Sequence, residues 1–235
     1  MKKVHRFFVV FPANEDSDIE IRDPDTVHQM DRVLRLRVGE LVVACAGDGR
    51  EAHGSIADID KEHVRIHVTE RRMNTREPKT RVTLYQAMLK RENMEWVIQK
   101  ATEIGVACIV PVISDRVIKM GVKIDRWQTI AKEAAEQCER GMVPEVADPL
   151  TFDEALADTH DADERWITHT EEGLPLLPRT ADDKHIALFV GPEGGWTDEE
   201  LAHAEQAGCK LCSLGTTILR GETAAVIAVY RALGI

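Results

Sequence analysis

The chain has 235 residues, enough for one large domain or two smaller ones with a real core. Hydrophobic residues make up 43 %, and no apolar run approaches the roughly 20 residues that cross a bilayer, which argues against a helical membrane protein. The formal net charge of −11 is uneven: residues 1–70 carry net −4, 71–140 net +5 and 141–235 net −12, so a basic middle keeps a nucleic-acid partner open.

The N-terminal VHRFFVVF reads as a first strand rather than part of a signal peptide. Its apolar stretch is short and runs into the acidic NEDSD segment without a small-residue cleavage site. Residues 38–68 read as three short strands joined by turns, with Asp48-Gly49 marking a hairpin. Gly47-x-Gly49-x-x-Ala52 matches the dinucleotide-binding fingerprint, but that fingerprint needs a helix after it, and strand-like sequence follows. The first seventy residues are therefore expected to be all-β.

The polar stretch 71–81, broken by Pro78, is the linker candidate, and beyond it the period changes. RVTLYQAML reads as a strand, then Met94, Val97, Ile98, Ala101 and Ile104 recur at helical spacing up to Gly105. VACIVPVI is a buried strand, residues 125–138 are helical, and RWITH, HIALFV and KLCSL are further strands. Thr197-x-x-Glu200 is a capping box for a helix to Ala207. A last helix carries Ala225, Val226, Val229, Tyr230 and Leu233 on one side, an apolar face expected to be open to a second copy. Alternating strands and helices imply an α/β domain with a mostly parallel, covered sheet. Five scattered cysteines, at 45, 108, 138, 209 and 212, suit free thiols in a reducing cytoplasm, the CxxC pair at 209–212 included.

Chemistry concentrates in two strand-to-helix junctions, Gly191-Pro-Glu-Gly-Gly-Trp196 and Leu214-Gly-Thr-Thr-Ile-Leu-Arg-Gly-Glu-Thr-Ala224. Open α/β sheets bind ligands at the carboxyl ends of their strands, and glycine-rich turns there leave backbone amides free. The loops lack the Gly-Lys-Ser/Thr end of a P-loop, no serine sits in a G-x-S-x-G elbow, and the histidines show no metal spacing. The residues favour a moderately sized ligand held by backbone groups. Arg220 is available for charge work, and Glu193 and Glu222 serve either as proton acceptors or as helix caps.

On these motifs the chain resembles the RsmE group of SPOUT-class RNA methyltransferases. The resemblance runs through HRFF at 5–8, VLRLRVGE at 33–40, Gln99-Lys100 with ATEIGV at 101–106, EAAEQCER at 133–140, and both C-terminal loops. It implies a PUA-like β-barrel over residues 1–72 and an α/β SPOUT domain over 73–235 with a C-terminal trefoil knot. It further implies a cytoplasmic homodimer without metal or membrane partner, which uses S-adenosylmethionine to methylate N3 of one uridine in 16S ribosomal RNA of the small subunit. Gly191, Glu193, Gly195, Leu214, Gly215, Ile218 and Leu219 would contact the cofactor. Arg220 would stabilise charge on the uracil, with Glu222 as the companion catalytic position, and Arg6, Arg32, Arg35 and Arg37 would grip RNA.

The chain departs from the family's usual residues at Thr217 (commonly Arg), Gly221 (commonly Thr) and Cys138 (commonly Ser). Thr217 removes one loop cation, and Gly221 is expected to loosen the loop that presents Arg220. Alternative readings are a SPOUT methyltransferase acting on transfer RNA or a ribose 2′-oxygen, and a non-catalytic RNA-binding assembly factor.

Overall fold

The computed structural model describes residues 4–12, 18–116, 121–180 and 183–234. Most of the acidic segment after the first strand lies outside the described residues. Two compact units emerge, one of residues 1–77 with 135–143, the other of 78–134 with 144–235.

The first unit holds β1 (His5–Phe8), β2 (Ile19–Ile21), α1 (Pro24–His28), β3 (Leu41–Cys45), β4 (Arg50–Ile59) and β5 (Val64–Met73). They form one sheet in the order β1-β3-β4-β5-β2, with only β1 and β3 parallel. The β3–β4 hairpin turns at Asp48-Gly49, and strand rather than helix follows, so no dinucleotide fingerprint exists there. β4 and β5 are ten residues each, longer than the short strands expected, and two register shifts, at His53/Gly54 and Ile56/Asp58, interrupt their pairing. Such bulges add local bend and twist to a long pair.

The all-β expectation fails at residues 24–33. Asp23 accepts the Thr26 amide at 2.9 Å, Pro24 opens α1, and a π-helical turn continues over Gln29–Val33. Val27 and Met30, one helical turn apart, bury into a core shared with Phe7, Ile21, Val42, Ile56 and Ile66. Distant chain also joins this unit. Glu136 accepts the Phe8 amide at 3.2 Å, and Glu77 accepts from Arg140 at 2.8 Å and from the Gly141 amide at 3.0 Å.

The second unit comprises β6 (Arg81–Ala87), α2 (Arg91–Ile104), β7 (Cys108–Ile113), most of α3 (Ile124–Gln137), β8 (Glu145–Val146), β9 (Leu150–Thr151), α4 (Phe152–Ala157), β10 (Glu164–Thr168), β11 (His185–Val190), α5 (Asp198–Gln206), β12 (Lys210–Cys212) and α6 (Gly221–Ala232). Its seven strands pair in parallel in the order β12-β10-β11-β6-β7-β8, with β9 also on β7. Registers Gln86↔Val190 and Thr168↔Cys212 bring the carboxyl ends of β6 and β11, and of β10 and β12, level. The loops that leave those ends share one sheet edge.

Tyr85 stacks on Phe189 at 4.5 Å, and Phe152 packs edge-on to the same ring within the core. Burial pushes the Cys209 and Cys212 thiols up to about 11 and about 12, which makes them inert packing residues at neutral pH. Helix α6 corrects one expectation. Ala225, Val229 and Leu233 are buried, and the helix packs on α2, β6 and β11, so most of that apolar side is core. Only Tyr230 of the expected face is exposed, together with Ile227. Among the described residues no helix is long and apolar enough to cross a membrane, and no His/Cys/Asp/Glu group has metal-site geometry.

Candidate active site

Five loops at the carboxyl edge of the second unit's sheet line a cavity of about 630 Å³. This lies within the range of small-molecule sites. Gly191, Glu193, Gly195, Leu214, Gly215, Ile218, Leu219, Arg220 and Glu222 all line it. The strand registers explain why two segments twenty residues apart meet: they leave strands separated only by β10.

Each wall has its own support. Trp196 is buried against Phe152, ring centroids 5.0 Å apart, and anchors the 191–196 turn. A Cβ on Gly191 would lie 3.2 Å from Trp196 Nε1, so the turn closes tightly over the indole. Gly195 (φ +69°) and Gly215 (φ +147°) take conformations that side-chain-bearing residues rarely adopt, and a Cβ on either would meet no atom within 4 Å. Those two glycines leave open space where a ligand can approach the backbone. The second loop is pinned by Ser213, whose hydroxyl donates to the Gly215 carbonyl at 2.9 Å and accepts its amide at 3.2 Å. Ile218 is 85 % exposed at the rim.

Arg220 occupies the N-cap of α6. Its carbonyl accepts the Ala224 amide at 2.8 Å, while its side chain makes no capping bond and is exposed. Glu222, in the first turn, is half-buried and accepts from Asn93 Nδ2 at 3.3 Å, whereas Glu193 is exposed. The expected loosening at Gly221 is not what the packing shows. Gly221 is a buried first residue of α6, and a Cβ there would sit 2.9 Å from Leu89 Cδ2 and 3.4 Å from the Gly191 carbonyl. Its smallness lets α6 start hard against the 191–196 turn.

Lys90, Asn93 and Arg116 also line the cavity, and sequence reading did not single them out. Arg116 Nη1 donates to the carbonyls of Gly194 at 2.8 Å and Trp196 at 3.1 Å, tying the end of β7 to the glycine-rich turn. The neighbouring Asp115 amide donates to buried Glu200 at 3.0 Å. A basic residue just beyond a buried strand, level with the glycine loops, was the available signal. Lys90 and Arg116 also supply cations that Thr217 does not.

The arginines assigned to RNA belong to the first unit. Arg6 is a correction: it is buried and its guanidinium is paired with buried Glu51, so it is spent on the core rather than offered to a phosphate. Arg32, Arg35 and Arg37 are exposed on one segment, Arg32 beside Asp31 at 2.9 Å.

This constellation matches known proteins over nearly the whole chain. The RNA methyltransferase domain family covers residues 75–232, and the RNA methyltransferase PUA domain family covers 23–69. Ribosomal RNA small subunit methyltransferase E from Bacillus subtilis is 31 % identical over 222 residues, 87 % of this chain and 86 % of that protein. The Rickettsia conorii protein of the same name is 30 % identical, over 97 % and 94 % of the two chains. The chain belongs to the ribosomal RNA small subunit methyltransferase E family. The Neisseria gonorrhoeae methyltransferase E bound to S-adenosyl methionine superposes with a TM-score of 0.89 at 30 % identity, covering 97 % of this chain and 95 % of that one. A Legionella pneumophila putative methyltransferase in complex with bound cofactor SAM gives 0.87 at 30 % identity, covering 97 % and 96 %. The methyltransferase E assignment accounts for one PUA-like unit and one parallel α/β unit.

Proposed function

We propose that this RNA methyltransferase uses S-adenosylmethionine to methylate N3 of one uridine in 16S ribosomal RNA of the small subunit. The observation that carries it is the convergence of both glycine loops, Arg220 and Glu222 on one cavity. When bound, S-adenosylmethionine supplies an already electrophilic methyl group. The amides and open glycines of 191–195 and 214–219, with Leu214, Ile218 and Leu219 as apolar walls and Glu193 at the rim, are the residues that would hold it.

The protein's remaining tasks are orientation and proton removal. Uridine N3 carries a proton, and losing it puts negative charge on the uracil carbonyls. Arg220, exposed and uncommitted among the described residues, is placed to meet that charge. Glu222 is the better proton acceptor of the two carboxylates, because Asn93 holds it at the cavity wall. The base must be unpaired or flipped to enter. In this reading the PUA-like first unit holds RNA through Arg32, Arg35 and Arg37, the second unit carries the chemistry, and the enzyme works in the cytoplasm. A C-terminal knot belongs to the same reading. Arg231 of α6 donates to the Leu177 carbonyl at 2.9 Å, so the last helix touches the segment that links β10 to β11. Liquid chromatography with mass spectrometry of 16S RNA nucleosides from a gene-deletion strain tests the reaction: 3-methyluridine at one position should vanish and return on complementation. A lost ribose methylation, or no change, would refute the N3 assignment.

Cofactor binding has its own test. Gly195→Trp should abolish S-adenosylmethionine binding in calorimetry, while Gly195→Ala, which shares the backbone strain but not the bulk, should bind with at most a modest loss. Equal affinities in wild type and the Trp variant would place the cofactor elsewhere.

We also propose a homodimer formed by the outer face of the second unit. Ile227 and Tyr230 stand exposed one turn apart on α6, and Trp96 is exposed on α2, which packs against it. Obligate interfaces are large and apolar. Light scattering should give a dimer at micromolar concentration, and Ile227→Asp with Tyr230→Asp should give a monomer. A fully active wild-type monomer would count against it.

A further inference from the structure

We propose that Asn93, together with Glu222 and Arg220, reads the Watson–Crick edge of the target base and makes the site selective for uracil over cytosine. This rests on the methylation reading above and adds a specificity-determining residue to it. The starting observation is the 3.3 Å hydrogen bond from Asn93 Nδ2 to Glu222 Oε2, between the first turns of two helices that pack together and both border the cavity. Beside a carboxylate the Asn93 amide has one sensible orientation, because turning Oδ1 toward Glu222 would set two acceptors against each other. The NH₂ group therefore faces Glu222, and its second hydrogen remains for a ligand. Both side chains are only half-buried, so they are within reach of one.

Asn93 and Glu222 offer a bonded donor and acceptor on this wall, and Arg220, two residues before Glu222 and exposed at the cavity, is taken to offer the next donor. Uracil presents the complement: acceptor O4, donor N3–H, acceptor O2. Cytosine does not, since its N3 carries a lone pair and its exocyclic amine donates. At a cytosine Glu222 would face a lone pair and Asn93 would face another donor. A site built on buried or half-buried polar groups rejects a mismatched ligand strongly, because the groups on both sides are left unpaired. The backbone loops cannot provide this choice, as they lie on the walls assigned to the cofactor. Proton acceptance and base choice thus fall on the same carboxylate, with Asn93 fixing where it points.

The test uses full-length enzyme and small ribosomal subunits from a gene-deletion strain, carrying either the uridine found by nucleoside mapping or a cytosine in its place. Wild type should bind cytosine subunits about tenfold more weakly in filter-binding competition, the scale of one mismatched base contact. Asn93→Leu should narrow that gap to within about threefold and slow single-turnover uridine methylation roughly 10- to 100-fold, somewhat less than loss of an oxyanion donor. Asn93→Asp, nearly isosteric but without the donor, should fare no better, and Asn93→Gln should restore part of the rate. S-adenosylmethionine affinity and melting temperature should stay near wild type in Asn93→Leu and Asn93→Gln, whereas Asn93→Asp, which sets a second carboxylate against Glu222, is read for rate alone. An unchanged uridine-to-cytosine binding ratio in Asn93→Leu overturns the proposal. So does a loss matched by weaker cofactor binding or earlier melting, which would make Asn93 a tie between α2 and α6. If mapping finds no 3-methyluridine, the reaction itself is wrong, and that outcome is visible before any variant is made.

Discussion

Replacing Arg220 with alanine should lower single-turnover methylation by about a hundredfold or more, the scale of losing one well-placed donor to a developing anion. The geometry makes this a clean substitution. Arg220 serves α6 through its backbone carbonyl, which accepts the Ala224 amide at 2.8 Å and survives the change, while its side chain caps nothing. Stability should therefore hold, and cofactor affinity should change little because that contact is assigned to the loops. Lysine should rescue only in part, since it lacks the planar fork that meets a carbonyl and a second acceptor together. Lys90 and Arg116 border the same cavity, so some rate should persist in the alanine variant from the remaining positive field. Early melting or lost cofactor binding in Arg220→Ala would make the residue structural and pass the catalytic role to one of those two cations.

The largest stability effect should come from Arg6→Ala in the first unit. Glu51 is 2 % exposed, and burial alone would push its carboxyl up. Hydrogen bonds from Asn74, Arg6 and His53 outweigh burial and bring it down to about 2. Removing the arginine takes from the buried carboxylate its closest cation and leaves only Arg72, 3.6 Å away and itself exposed, a change that costs up to about 3–5 kcal/mol in comparable sites. The sign of the pH dependence follows from the lowered value. The unfolded chain takes up the Glu51 proton near 4.5 and the folded chain only at about 2, so the ionised group stabilises the fold above 4.5 and loses that contribution as pH falls toward 2. Hydrogen exchange of the β3–β4 amides should show the Arg6→Ala penalty in full at pH 6 to 7, with a smaller penalty near pH 3. A penalty under about 1 kcal/mol at neutral pH, or one that grows on acidification, would contradict the pairing.

Local signals were read well where short-range physics decides them. The β3–β4 turn follows from Asp48-Gly49, α5 from the Thr197/Glu200 capping box, and α2 from its 3.6-residue apolar period ending at Gly105. The cavity loops were legible for the same reason, since two apolar strands each ending in a glycine-rich turn mark a sheet's ligand edge. The helical stretch 24–33 went unread although Asp23-Pro24 announced it, because α1 is only five residues long and its apolar period lasts a single turn.

What depends on distant contacts could not be read locally. Arg6 in HRFF looks like any strand-borne cation, and only pairing β1 with β3, and β3 with β4, sets it against Glu51, 45 residues away. Gly221 looked like a point of slack until Leu89 and the Gly191 carbonyl appeared against it. Asn93 and Glu222, 129 residues apart, meet because β6 and β11 pair at the centre of the sheet and α2 packs on α6. By itself the sequence determined the longer elements of the second unit, the class of fold and the two loops, since periodicity, caps and turns act over a few residues. The tertiary structure alone decided which charges are buried and which residues share the cavity, because burial and pairing depend on strand order and register, which no local pattern encodes.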